Sequence, residues 1–580
     1  MTEAEKHRIV SNEYADFIID YNHNYNIFKD FKDSTINPIN NNYAVIHIPE
    51  NNMGVDSISR FGYYAIPSCY GLLSDKVKRE EILKDYNNLN ILSDRDISDG
   101  ANTSGSGVLI GFIDTGIDYT HPAFLDANNK TRIAGIWDQS IQSESSYLSA
   151  LNYGTEYTRE QIDEALNAPN PFEVVPSRDE IGHGTMLAGY AAGSFNPINN
   201  FLGVAPGAEL AVVKLKKAKP YLMEFFEIPN DANCYQENDI MMGAKYLDEI
   251  ARKLHKPLII CVGLGTSLSD HAGGRVLSRY LTFIANIRGR SVITAGGNEG
   301  NRGNHYYSNY VAPSTYNDVY LRVGENEEGF SMQFWGMSPN YFWIDLYAPE
   351  DVFLARVPPI DNVTSVLNLE ESIVIIDILL NIPYFYEQSI VFRFHKPKPG
   401  DWKLHVFGAT EELSMEFHFW LPLHNFISDT THFLEPDPYT TLTGPSNNQF
   451  LISTVAYDPI TVTLEYNSGK GFTVSDTPKP DITAPGVNVV CPFPGNEYVL
   501  GGGSSLSAAY TAGVAARIFD WGIVQGNFTD MNHSIMKKVI VQSAYRLPEL
   551  NYPNREWGYG ILSLDRIKVV LDGLANIKTI

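Results

Sequence analysis

The stretch GVLIGFIDTG, Gly107 to Gly116, is a continuous apolar run closed by an acid and a glycine. Apolar runs without alternation are the strands of a parallel sheet covered on both faces. Asp114 then falls at the carboxyl end of its strand, where open α/β sheets place their functional groups. Downstream, strand and helix patterns alternate as a doubly wound α/β domain requires. AELAVVKLK (Ala208–Lys216), PLIICVGLG (Pro257–Gly265) and SVITAGG (Ser291–Gly297) read as strands. NDIMMGAKYLDEIARKL (Asn238–Leu254), capped by Asn238, and VLSRYLTFIANIRG read as helices.

From about Asn317 the rhythm changes. VYLRV, FSMQFW, YFWIDLYAP, SIVIIDILL, QSIVFRFHK, DWKLHVFG and LSMEFHFWLP are short aromatic-rich strands with no helix between them. This predicts an all-β sandwich of the jelly-roll sort, ending near Phe426. The α/β signature returns with FLISTVA, so the sandwich is inserted in the α/β domain. Upstream, the strand NYAVIHIP (Asn42–Pro49) and the amphipathic pattern VKREEILKDYNNL (Val77–Leu89) make a small α+β unit. The expected divisions are 1–75, 76–316, 317–426 and 427–580.

A chain of 580 residues exceeds one hydrophobic core. Its 44% hydrophobic and 19% charged residues argue against wholesale disorder. The net charge of −25 would repel nucleic acid and anionic membranes, so neither is an expected partner. The N-terminal stretch lacks a basic region followed by a long apolar one, and no apolar run is long enough to span a membrane. Synthesis in the cytoplasm without a signal peptide or transmembrane segment is expected. Cys69, Cys234, Cys261 and Cys491 lack metal-ligand spacing and read as reduced thiols.

Three segments carry chemistry. GFIDTGIDYTHPAF holds Asp114, RDEIGHGTMLAGYAAG sets His183 between two glycines, and GGGSSLSAAYTAG presents serines at the start of a helix. Taken singly, the aspartate reads as a turn cap, the histidine as structural and the serine as a helix cap. Taken together they meet a specific demand. A serine hydroxyl attacks only when a histidine takes its proton, and the histidine needs a buried carboxylate to fix its tautomer. A helix start also supplies a free N–H for a developing oxyanion. Asn298, in the glycine-rich turn after SVITAGG, offers a side-chain amide for the same oxygen. Asp118 reads as a turn residue, and His121, His271 and His305 as structural.

IDTGID, GHGT, AGGNEG and GSSLSAAYTAG, in that order, resemble the subtilisin-family serine proteases. Among Ser504, Ser505 and Ser507, the resemblance selects Ser505 as nucleophile. Ser504 stands where the family usually has Thr, and Ala509 where most members have Pro. The catalytic set it implies is Asp114, His183 and Ser505, with Asn298 and the Ser505 N–H as oxyanion hole. GVLIGFIDTGIDYTHPAF, TRIAGIWDQSI, SDHAGG and the inserted sandwich are similar to the clostridial Csp germination proteases over nearly the whole chain, including a prodomain that begins EYADFIIDY.

That likeness implies an autoprocessed prodomain, residues 1–75, acting as an intramolecular chaperone and remaining a partner. The cut is expected within 69–75, in AIPSCYGLLS (Ala65–Ser74), threaded beside Gly263, Leu264 and Gly265 by strand addition. It further implies limited proteolysis of a protein substrate, the zymogen of a spore cortex-lytic hydrolase, and a spore-associated location. No cofactor is implied, and no dense carboxylate loop assigns a metal. The alternative is a pseudoprotease, or a protein that cleaves only itself, acting as a binding or signalling partner.

Overall fold

GVLIGFIDTG supplies the strand Leu109–Asp114, buried along its whole length in the middle of a nine-stranded sheet. The computed structural model describes residues 1–31, 34–74, 77, 103–143, 151–309, 316–380, 387–408 and 416–577. Leu258–Val262 and Glu209–Lys214 flank the central strand in parallel. Arg290–Ala295, Ile452–Asp458 and Ile482–Pro485 continue one side and Ile133–Asp138 the other, also in parallel. Antiparallel Thr155–Thr158 and Thr463–Leu464 complete the sheet.

Side chains of a strand alternate between faces, and both faces of this one are covered. Leu109 and Ile113 join Tyr246 and Leu247 of the helix Glu237–Lys253. Ile110 and Phe112 join Leu187 and Ala188 of the helix His183–Ala192 and Ala508 and Ala512 of the helix Ser504–Phe519. Each such apolar side chain stabilises the fold by about 1.5–3 kcal/mol, which is why the strand carries no polar residue before Asp114. Asn238 is not a cap. The helix starts at Glu237 after Gln236, because buried Glu237 is fixed by Arg275 (2.6 Å) and by the N–H groups of Ser68 and Leu277.

The aromatic-rich region forms two antiparallel sheets of six and five strands around one apolar core that includes Phe334, Phe392, Trp402 and Phe419. The sheets also take in His305–Ser308, paired with Phe417–Trp420, and His432–Phe433, paired with Leu321 and Arg322, which flank the expected span. Two further strands, Val352–Val357 and Val363–Leu369, lie within it.

At the N-terminus a helix, Glu3–Val10, accompanies a three-stranded antiparallel sheet ordered Tyr14–Asp20, Tyr43–Pro49, Thr35–Pro38. Buried Asp16 ties this unit to the α/β domain. It accepts from Lys219 Nζ, Gln236 Nε2 and His47 Nδ1, each at 2.6 Å. Burial would raise the Asp16 carboxyl, but Lys219 and His47 beside it hold it well below the ordinary carboxylate range. The expected helix over Val77–Leu89 lies outside the described residues. All four cysteines are buried and free, and no described helix is long and apolar enough to cross a membrane.

Candidate active site

The aspartate, histidine and serine singled out above converge. His183 Nδ1–H donates to Asp114 Oδ1 at 2.7 Å, and His183 Nε2 lies 3.0 Å from Ser505 Oγ. All three side chains are buried. A strand end delivers Asp114, and two helix starts deliver the others. Gly503 precedes the serine helix at φ +119, a conformation that favours glycine. A Cβ there would also lie 2.7 Å from the Leu73 carbonyl oxygen and 2.8 Å from Ser74 Cα.

The three serines separate cleanly. Ser504 Oγ accepts from the Gly297 N–H (3.0 Å), and Ser507 Oγ–H donates to the Ala484 carbonyl (2.9 Å). Only Ser505 of the three faces the histidine. Asn298 Oδ1 accepts from the Ser504 N–H (3.1 Å), which fixes the amide. Its Nδ2 is buried and has no hydrogen-bond partner among the described residues.

The cleft is filled by the chain itself. Cys69–Leu72 pairs antiparallel with Leu264–Gly265, placing Leu72 opposite Leu264 and Gly71 opposite Gly265. On its other edge it pairs antiparallel with Cys234–Gln236. The Leu73 N–H reaches the Gly263 carbonyl (3.3 Å), and the Leu73 carbonyl accepts from the Ser505 N–H (3.1 Å). Gly263 lies close to the imidazole: a Cβ there would sit 3.3 Å from His183 Cε1.

Sequence reasoning missed the supports. Asp179 accepts from the Thr115 hydroxyl (2.8 Å) and the Gly182 N–H (2.8 Å) on one oxygen. Its other oxygen accepts from the Thr185 N–H and hydroxyl (2.9 and 2.7 Å). Thr115 in turn accepts from the Gly184 N–H (2.9 Å). One carboxylate thereby joins the Asp114 strand end to the His183 helix start. Its only sequence signal was proximity to GHGT. Asp118 accepts from Thr120 and Gly495 and takes no part in the histidine bond. His121 bonds Ala123 and Glu497, His271 bonds Ser267, and His305 bonds Asp437 and His418.

This geometry has relatives. Residues 105–560 match the subtilase family. The chain is 28% identical over 231 residues to the subtilisin-like protease SBT3.5 of Arabidopsis thaliana, an overlap covering 37% of this chain and 28% of that protein. It is 32% identical over 135 residues to subtilisin-like protease SBT2.3 of the same plant, 20% of this chain and 15% of that protein. The chain thus spans less than a third of the length of these curated relatives. Among solved structures, the CspB protease of Clostridium perfringens is similar with a TM-score of 0.74 at 26% identity, over 84% of this chain and 98% of that one. With a family match that runs through both halves of the α/β sheet and the insert between them, the chain belongs to the subtilase family.

Proposed function

We propose that the protein is a serine endopeptidase that cuts its own Leu73–Ser74 bond, with Asp114, His183 and Ser505 as the catalytic residues. The observation that carries this reading is the placement of the Leu73 carbonyl on the Ser505 N–H while the Ser505 hydroxyl faces His183 Nε2. Ser505 Oγ attacks the Leu73 carbonyl carbon as His183 takes its proton, and Asp114 stabilises the imidazolium. The oxyanion is held by the Ser505 N–H and the Asn298 amide, whose unpaired Nδ2 is a donor available to it. His183 then returns the proton to the Ser74 amine as the bond breaks. Water, deprotonated by His183, frees the Leu73 carboxylate from the resulting ester.

Residues 1–73 are then the prodomain, held after cleavage by Asp16–Lys219 and by Arg275, which donates to the Ile66 carbonyl (3.0 Å). Gly263, Leu264 and Gly265 form the strand on which an extended protein substrate pairs. The two antiparallel sheets are read as an inserted jelly-roll sandwich. The external substrate we take to be the zymogen of a cortex-lytic hydrolase, and the place of action the spore, as the resemblance of the sequence motifs to the clostridial Csp germination proteases implies. A second reading, processing in cis alone, is favoured by the same filled cleft. Incubating purified wild type and Ser505→Ala with a fluorophosphonate probe and measuring intact mass tests the main reading. The wild type is expected cut after Leu73 and labelled once, and the variant whole and unlabelled. Two whole, unlabelled chains would overturn it in favour of a pseudoprotease. An added protein left uncut by the processed enzyme would favour the cis-only reading.

A further inference from the structure

The cleft-bound segment contains one residue that the surrounding structure does not let grow. Tyr70 and Leu72 point into one apolar cluster with Leu264, while Leu73 faces the other. By strand alternation the Gly71 position faces the same way as Leu73. A Cβ on Gly71 would lie 2.9 Å from Leu423 Cδ1, 3.0 Å from Phe426 Cζ and 3.1 Å from Asn425 Nδ2. Sideways escape is closed, because Gly71 is paired on one edge to Gly265 and on the other to Cys234.

The three contacting residues come from the segment that leaves the inserted sheets just after the strand Phe417–Trp420. Leu423 and Phe426 are buried. The segment is pinned to the oxyanion turn by Glu299, next to Asn298. Glu299 accepts from His424 Nδ1 (2.8 Å) and the His424 N–H (3.1 Å), and from Asn304 Nδ2 (2.9 Å). Asn304 Nδ2 also reaches the Pro422 carbonyl (2.9 Å). Asn425 Nδ2 donates to the Leu72 carbonyl (3.4 Å), so the segment grips the threaded strand as well as covering it.

We propose that Leu423, Asn425 and Phe426 form a specificity gate that selects glycine two residues before the cleaved residue. The gate rests on the reading of Leu73–Ser74 as the cleaved bond, and it extends to external substrates. Peptides with glycine at this position are preferred, alanine is accepted at a reduced rate because side-chain tips must shift to admit it, and branched or long residues are refused. It also gives the insert a role: it delivers the gate to the cleft.

The test follows cleavage at Leu73–Ser74 by intact mass over time in freshly made full-length chains. Wild type, Gly71→Ala, Gly71→Leu, and Gly71→Leu combined with Leu423→Ala and Phe426→Ala are compared, with Ser505→Ala as the uncut baseline. Gly71→Leu is expected to process about tenfold more slowly or worse, and opening the gate restores it. Processing of Gly71→Leu at the wild-type rate, or a folded Gly71→Leu that the open gate leaves slow, would overturn the gate. Melting of the same variants on the Ser505→Ala chain reports folding. Where Gly71→Leu does not fold, Gly71→Ala and Gly71→Ser carry the test. Their rates must follow side-chain size and converge when the gate is opened, and rates equal to wild type with the gate intact overturn it. A wild type that stays whole like Ser505→Ala overturns the protease reading, and the gate with it.

Discussion

The backbone N–H of Ser505 lies 3.1 Å from the carbonyl oxygen of Leu73. A residue 432 positions earlier in the numbering is therefore held with its carbonyl against the start of the Ser505 helix.

Ser505→Ala removes the attacking oxygen and is expected to lower turnover by about 10⁶. His183→Ala should cost about as much, and the double change little more, because the two act as one unit. Rates measured on a peptide spanning Leu73–Ser74 check this, and additive losses would refute the coupling.

Asn298→Leu keeps approximate volume and deletes the amide. Loss of one oxyanion donor costs about 10²–10³ in kcat, with KM little changed. A larger effect on KM than on kcat would place Asn298 in ground-state binding.

Asp179→Asn weakens a hub that touches neither substrate nor the reacting atoms. The expected result is a reduced kcat with an altered pH profile, because the tether between the Asp114 and His183 segments loosens. A uniform loss at all pH values that tracks lowered stability would reduce Asp179 to a structural role.

Lys219→Met strips the cation from buried Asp16. Breaking a buried pair costs about 3–5 kcal/mol by leaving an uncompensated charge. With the proposed cut after Leu73 made, residues 1–73 should then dissociate on gel filtration, and Asp16→Asn together with Lys219→Met should recover part of the loss. Retention of the prodomain by Lys219→Met alone would refute this.

Acid should weaken the junction between the α/β domain and the insert. His271 stacks on Trp420 with ring centroids 3.9 Å apart, and His305 Nε2 accepts from His418 Nδ1–H at 2.9 Å. Burial pushes His271 down to about 4 and His305 to about 3. Their folded values lie below the unfolded value, so the unfolded chain binds more protons in between. Stability is complete above about pH 6.5 and falls toward pH 4 by roughly 1.4 kcal/mol per unit for each histidine. Denaturant melts across that range check the slope, which His271→Gln should reduce by one histidine's share.

The parallel strands and the segments that bring Asp114, His183 and Ser505 together were legible because both signals are local. An unbroken apolar run such as Leu109–Ile113 needs cover on two faces, and GHGT fits one tight turn. The supports were not legible for the opposite reason. Glu299 meets His424 across 125 positions and Asp16 meets Lys219 across 203, and nothing in either neighbourhood names its partner. The strands Val352–Val357 and Val363–Leu369 were missed because they are mostly half-buried or exposed, so neither carries the strong apolar signal of a strand with a fully covered face. Asn238 was misread as a cap because capping propensity ignores tertiary pairing, and here Arg275 decided where the helix begins.

The pairing of His305–Ser308 with Phe417–Trp420 brings the two ends of the inserted excursion side by side. In polymer terms this is a closed loop. Holding together the ends of a flexible loop of about 100 residues would cost roughly 4 kcal/mol in entropy. A folded insert has already met that cost, so to the α/β domain the excursion behaves like a short hairpin. Loosening the core around Phe392 or Trp402 would thus tax the assembly of Asn298 with Ser505 from a distance, without disturbing any atom of the active site.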